Sequence, residues 1–172
     1  MRRFVLGIVI LFLLAGCATL PKPLRDIPAE KHISLAQIKN NPSRYTDVVL
    51  LWGGRITNCS NAQDGTYIEI LYLPLDNEGY PQEKDVSEGR FVVKSKNFLD
   101  CAIYSKGRYL TAVGQFKGFL EGKIDEMPYS FPFLEAKAIY LWKKRYYYPY
   151  IRPSIWFWYG SPRWWFEYGP WW

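Results

Sequence analysis

Polar and apolar positions along the chain change texture three times. Phe4 to Leu14 is an uncharged apolar run of 11 residues behind Arg2 and Arg3. As a helix it would reach roughly 16 Å at about 1.5 Å per residue, well short of the ~30 Å hydrocarbon core. It therefore reads as the apolar core of an export signal covering residues 1–16, not as a permanent span. In residues 17–31, Pro21, Pro23 and Pro28 predict a short tether. Ser34-Leu35-Ala36-Gln37 is a capping-box pattern, and Leu35 and Ile38 share a face, so a two-turn helix is expected there, ended by Asn40, Asn41 and Pro42.

From Val48 the period shortens to that of strands. Val48 to Thr57 predicts a strand, with Gly53-Gly54 as a bulge or tight bend. Thr66 to Leu73 is the next, followed by a polar loop over 76–88, then Arg90 to Lys94 and Tyr109 to Phe116. Gly118 and Gly122 are expected to bracket a hairpin turn, and Ala138 to Trp142 to form the last strand. Five or six short strands with a bent first one predict a mainly β domain over 32–142. The expected form is a small antiparallel OB-like barrel with a short N-terminal helix, and a β-sandwich is the alternative. Residues 143–172 predict an irregular tail, because Pro149, Pro153, Pro162 and Pro170 exclude a long helix or a central strand.

The cysteines add an address. Leu14-Ala15-Gly16-Cys17 resembles the bacterial lipobox, in which small residues let a peptidase reach the bond before a lipidated cysteine. Cys17 is thus the candidate lipidation site and the first residue of the mature chain. One acyl chain binds a bilayer only marginally, so the two or three carried by mature bacterial lipoproteins make a stable anchor. In the sorting rule for such lipoproteins, Asp directly after the cysteine favours inner-membrane retention. Ala18 lacks that signal, so the expected location is the periplasmic face of the outer membrane. Cys59 and Cys101 remain. An oxidising compartment favours a disulfide between them, with two buried thiols as the alternative. Two distant cysteines and the lone His32 lack the spacing of a metal site, and no cofactor motif is present.

Charge removes another class. The 22 Lys and Arg exceed the 16 Asp and Glu, but the excess lies in the signal and the tail; residues 17–142 hold 15 of each. A neutral barrel lacks the footprint that phosphate backbones require, so nucleic acid is not an expected partner. No HExxH, GxSxG or P-loop occurs. Asp76 with Glu78, or Asp125 with Glu126, could serve an envelope hydrolase or glycan-modifying enzyme, but both pairs fall in predicted turns, where acidic residues are common. No catalytic residue is assigned. Arg90 and Arg108, each in a Gly-Arg pair at a strand start, are candidate anion-binding residues; the alternative is structural pairing with Glu88 or Asp100, or stacking on a ring.

The tail is compositionally unusual, with 14 aromatics in 30 residues. Trp156, Trp158, Trp164, Trp165, Trp171 and Trp172 stand among Lys143, Lys144, Arg145, Arg152 and Arg163. Such rings favour membrane interfaces, and basic neighbours add attraction to anionic lipid. Rings also stack on sugars, so the candidate contacts are membrane, peptidoglycan, lipopolysaccharide or an envelope protein. Packing back on the barrel is the alternative.

The ordered set Leu51-Trp52-Gly53-Gly54-Arg55-Ile56, Thr66 to Leu75, Ser87 to Phe91, Phe98-Leu99-Asp100 and Gly107 to Gly114 resembles the Slp family of bacterial outer-membrane lipoproteins. Gly122-Lys123-Ile124, Tyr129, Pro132 and Leu141-Trp142 continue the resemblance, which covers roughly residues 32–142. Arg90 and Arg108 fall within it. The chain departs at Cys101, where the family motif often continues with proline, so a bond to Cys59 would belong to this branch. The resemblance implies a non-enzymatic envelope lipoprotein and supplies no catalytic residues.

Overall fold

In the computed structural model, which describes residues 19–144, the polypeptide forms a closed five-stranded barrel. The strands are β1 (Val49–Ala62), β2 (Gly65–Leu73), β3 (Arg90–Ser95), β4 (Tyr109–Ile124) and β5 (Met127–Leu141). Their order around the barrel is β1-β2-β3-β5-β4, with β4 pairing back onto β1. This is the OB-like arrangement, not a sandwich. Four seams are antiparallel; β3 and β5 run parallel, with Val92 opposite Phe133. The expected antiparallel OB-like barrel carries this one parallel seam. The chain crosses from β3 to β4 before β5 returns, and β5 enters beside β3 in the same direction.

Alternation fills the interior. β2 and β3 bury every second residue, including Ile68, Ile70, Phe91 and Val93. Trp52 lies at the centre, edge-on to Phe91 at 5.2 Å and to Tyr72 at 5.5 Å. Its indole N–H donates to Ile33 O at 2.7 Å, satisfying the one polar atom that burial would orphan. The helices α1 (Lys22–Arg25) and α2 (Leu35–Asn40) precede the barrel, and a 3₁₀ turn (Pro42–Tyr45) follows α2. The Ser34–Gln37 capping box forms as expected, and Leu35 and Ile38 join the barrel core.

β1 and β4 are buried on both faces over Leu50–Trp52 and Leu110–Val113. Leu50, Trp52, Leu110 and Ala112 point into the core, whereas Leu51 and Val113 form a second cluster with Leu20 and Leu24. A strap from residues 19–31 covers that outer face. Glu30 locks its end, donating N–H to Val49 O at 2.8 Å and accepting from Leu51 N at 3.0 Å. The described part of the expected short tether is thus packed on the barrel.

The glycines also play different parts from those expected. A Cβ on Gly54 would fall 1.8 Å from Leu71 O, so residue 54 is a close-approach position, and the bulge sits three residues later, between Ile56 and Asn58. Gly118, at φ +107°, falls at a second bulge, between Phe116 and Phe119. β4 runs on through it, and the turn comes at Asp125, φ +52°, and Glu126.

Candidate functional site

The two ends of the described chain meet on one turn. Asp76 builds that turn: its Oδ1 accepts from Glu78 N and Tyr80 N, both at 2.9 Å, and its Oδ2 from Gln82 Nε2 at 2.8 Å. Gly79 takes φ +79°, and a Cβ there would stand 2.5 Å from Leu20 Cδ2. The buried Thr111 hydroxyl donates to Gly79 O at 2.7 Å and accepts the Trp142 indole N–H at 3.0 Å. The Tyr80 ring lies 5.0 Å from that of Trp142, and Tyr140, which packs on the Leu20 cluster, lies 4.7 Å from it. Leu20, three residues after Cys17, and Trp142, two residues before the described chain ends at Lys144, thus share a single support.

Beside Trp142 is a hollow of about 300 Å³. Its rings come from Tyr80, Tyr109 and Trp142 and its charges from Lys106, Arg108, Lys143 and Lys144; among the described residues no carboxylate lines it. Strand pairing assembles it. Leu110 opposes Leu141, which brings the 105–109 segment next to the residues following β5. Arg108 fastens the join, donating through Nη1 to Ile103 O at 3.1 Å and through Nη2 to Trp142 O at 2.8 Å. Burial first, and the Glu83 carboxylate second, push the Tyr109 phenol up to about 12, so it is a neutral hydroxyl at physiological pH.

The other expected residues fall elsewhere. Arg90 pairs with Glu69 at 2.7 Å on the β2–β3 surface and does not line the hollow with Arg108. Its partner is neither Glu88 nor Asp100; Glu88 instead accepts from Ala36 N, and Asp100 from Ala102 N. Cys59 and Cys101 form a disulfide with Cα atoms 5.5 Å apart, joining β1 to the loop before β4. The Asp76 carboxylate is engaged by its own turn, and Asp125 and Glu126 form the tip of the β4–β5 hairpin. The carboxyls with a clear shift, Asp64 and Glu135, are held low by hydrogen bonds from Lys94 and Lys96, the opposite of what a general acid needs. Cys17 and the tail residues Trp156, Trp158, Trp164, Trp165, Trp171 and Trp172 lie outside the described residues. Sequence reasoning singled out Arg108 but missed Lys106, Tyr80 and Tyr109 as its neighbours.

Two family models match the chain. The model described as "Outer membrane lipoprotein Slp family" matches residues 14–172, and that of the prokaryotic membrane lipoprotein lipid attachment site matches residues 1–18. The chain is 28% identical over 146 residues to "Outer membrane protein Slp" of Escherichia coli (strain K12), covering 84% of this chain and 77% of that protein. It is 28% identical over 130 residues to "Uncharacterized lipoprotein YeaY" of the same strain, covering 76% of this chain and 67% of that protein. A third relative, an "Uncharacterized protein" of Haemophilus influenzae (strain ATCC 51907 / DSM 11121 / KW20 / Rd), is 32% identical over 136 residues, covering 76% of this chain and 71% of that protein.

Proposed function

Because this chain belongs to the outer membrane lipoprotein Slp family and carries a lipid attachment site, we propose that it is a non-enzymatic lipoprotein whose barrel rests directly on the periplasmic face of the outer membrane. The observation that carries this reading is the shared support of Leu20 and Trp142. Three residues span at most about 11 Å. Acyl chains on Cys17 therefore hold the strap face against the headgroups, where 15 free residues would have allowed about 50 Å. The Trp-rich tail begins on the same side and is taken to meet the same interface, where its rings and cations are favoured. Peptidoglycan, lipopolysaccharide and an envelope protein are the other contacts to be tested for it.

Nitroxide labels on Asn77→Cys, beside the strap, and Glu126→Cys, at the hairpin tip, test the orientation. β4 alone has 16 residues, roughly 50 Å of strand contour, between the two regions. In the lipidated protein reconstituted into vesicles, the Asn77 label should be shielded from aqueous relaxation agents and the Glu126 label fully exposed. Equal exposure of both overturns the reading, as does Cys17→Ala still fractionating with the outer membrane.

A further inference from the structure

We infer that the hollow beside Trp142 is a binding site for the phosphate of an anionic membrane-lipid headgroup. The inference rests on the strap face being turned toward the bilayer and names what that face binds. Six cations elsewhere on the domain are ion-paired: Arg25, Arg55, Arg90, Lys94, Lys96 and Lys117 each lie within 4 Å of a carboxylate. Lys106, Arg108, Lys143 and Lys144 form no such pair among the described residues, as is also true of Lys22, Lys31, Lys39, Arg44, Lys84, Lys123 and Lys137, but these four gather around one cavity. Residues 17–142 hold equal numbers of opposite charges, and Lys143 and Lys144 add two cations beside this cavity, so the concentration is a local positive field that an anion would neutralise.

The Glu83 carboxylate, which hydrogen-bonds the Tyr109 phenol, is paired with Arg55 at 3.4 Å. Arg108 is held by two backbone carbonyls and still has donors of its planar fork to offer. Gly107, at φ +88°, lines the hollow, and no described atom beyond its chain neighbours lies within 4 Å of where its Cβ would stand. The aromatic walls point to a lipid and not to a free ion. Tyr80 and Trp142 are the residue types that sit at headgroup depth; Tyr80 follows Gly79, which lies against Leu20, and its ring is 5.0 Å from that of Trp142.

The test uses the full-length lipidated protein released from nonionic micelles into native mass spectrometry. Separate micelles carry phosphatidylglycerol, a bis-phosphorylated lipid A, or phosphatidylcholine, and a fourth sample receives inorganic phosphate alone. The variant is Lys106→Gln/Lys143→Gln/Lys144→Gln, which leaves the carbonyl clamp of Arg108 intact; circular dichroism checks its fold. Wild type should retain phosphatidylglycerol or lipid A at least tenfold over phosphatidylcholine, and the triple variant should lose that preference. The better retained of the two anionic lipids identifies the source. Retention that does not distinguish phosphatidylcholine, that is unchanged in the triple variant, or that occurs with inorganic phosphate alone overturns the site. Failure here with a shielded Asn77 label leaves the orientation standing; lipid retention with an exposed label leaves the site standing without it.

Discussion

Leu20 packs against Gly79: a Cβ there would stand 2.5 Å from Leu20 Cδ2, the movable end of that side chain, and the glycine sits at φ +79°. Replacing Gly79 by alanine strains the backbone and displaces the Leu20 side chain in the strap. The expected cost is about 1–3 kcal/mol. Denaturant unfolding of Gly79→Ala should show it, and hydrogen exchange at Leu24 and Arg25, whose amides bond Pro21 O, should quicken while that of β2 does not.

Gly54→Ala should be far worse. Its Cβ would overlap the backbone oxygen of Leu71 at 1.8 Å, in a seam that cannot open without parting β1 from β2. A loss above about 4 kcal/mol places it in the severe class. Gly107→Ala is the control, since it changes a positive φ with nothing within 4 Å. Its soluble, folded yield should far exceed that of Gly54→Ala.

The Cys59–Cys101 bond closes a loop with a sequence separation of 42. In the chain-entropy account such a loop stabilises by up to about 4 kcal/mol. Cys59→Ser/Cys101→Ser should lower the thermal midpoint substantially while leaving the far-ultraviolet circular dichroism of the folded barrel unchanged. An unaltered midpoint would mean that the β1–loop contact holds without its crosslink.

Acid should weaken the barrel by a defined route. Asp64 is held below the usual carboxylate range chiefly by the Lys94 hydrogen bond, and Glu135 by that of Lys96. Depressed folded values mean that both pairs contribute fully above the ordinary carboxylate range, about pH 4. The contribution fades as pH falls through the lower folded values. Urea midpoints at pH 7 and pH 3 should therefore differ modestly, and the difference should shrink in Asp64→Asn/Glu135→Gln.

Much of the fold was legible in local pattern. The capping box at Ser34–Gln37, the starts of β2, β3 and β4, and the oxidised cysteine pair could be read because each depends on neighbouring residues or on compartment. The errors came from glycine and proline, whose meaning is set by distant atoms. Gly118 marks a bulge inside β4, and a Cβ on Gly122 would stand 3.0 Å from the Phe131 ring, within the β4–β5 pairing, so neither ends the strand. The three prolines hid apolar residues at Leu20, Leu24 and Ile27, which pack on the outside of β1 and β4. Arg108 stood out by its Gly-Arg pair, but Lys143 and Lys144 are brought to it only by the pairing of Leu110 with Leu141.

The burial of Leu20 and Leu24 also sets how far the molecule can search. A long leash would let the barrel sweep a deep volume and meet binding targets well away from the lipid. With the anchor proposed above, a strap docked on β1 and β4 would make it a two-dimensional diffuser in a layer one barrel deep, where its local concentration toward other species in that layer is high.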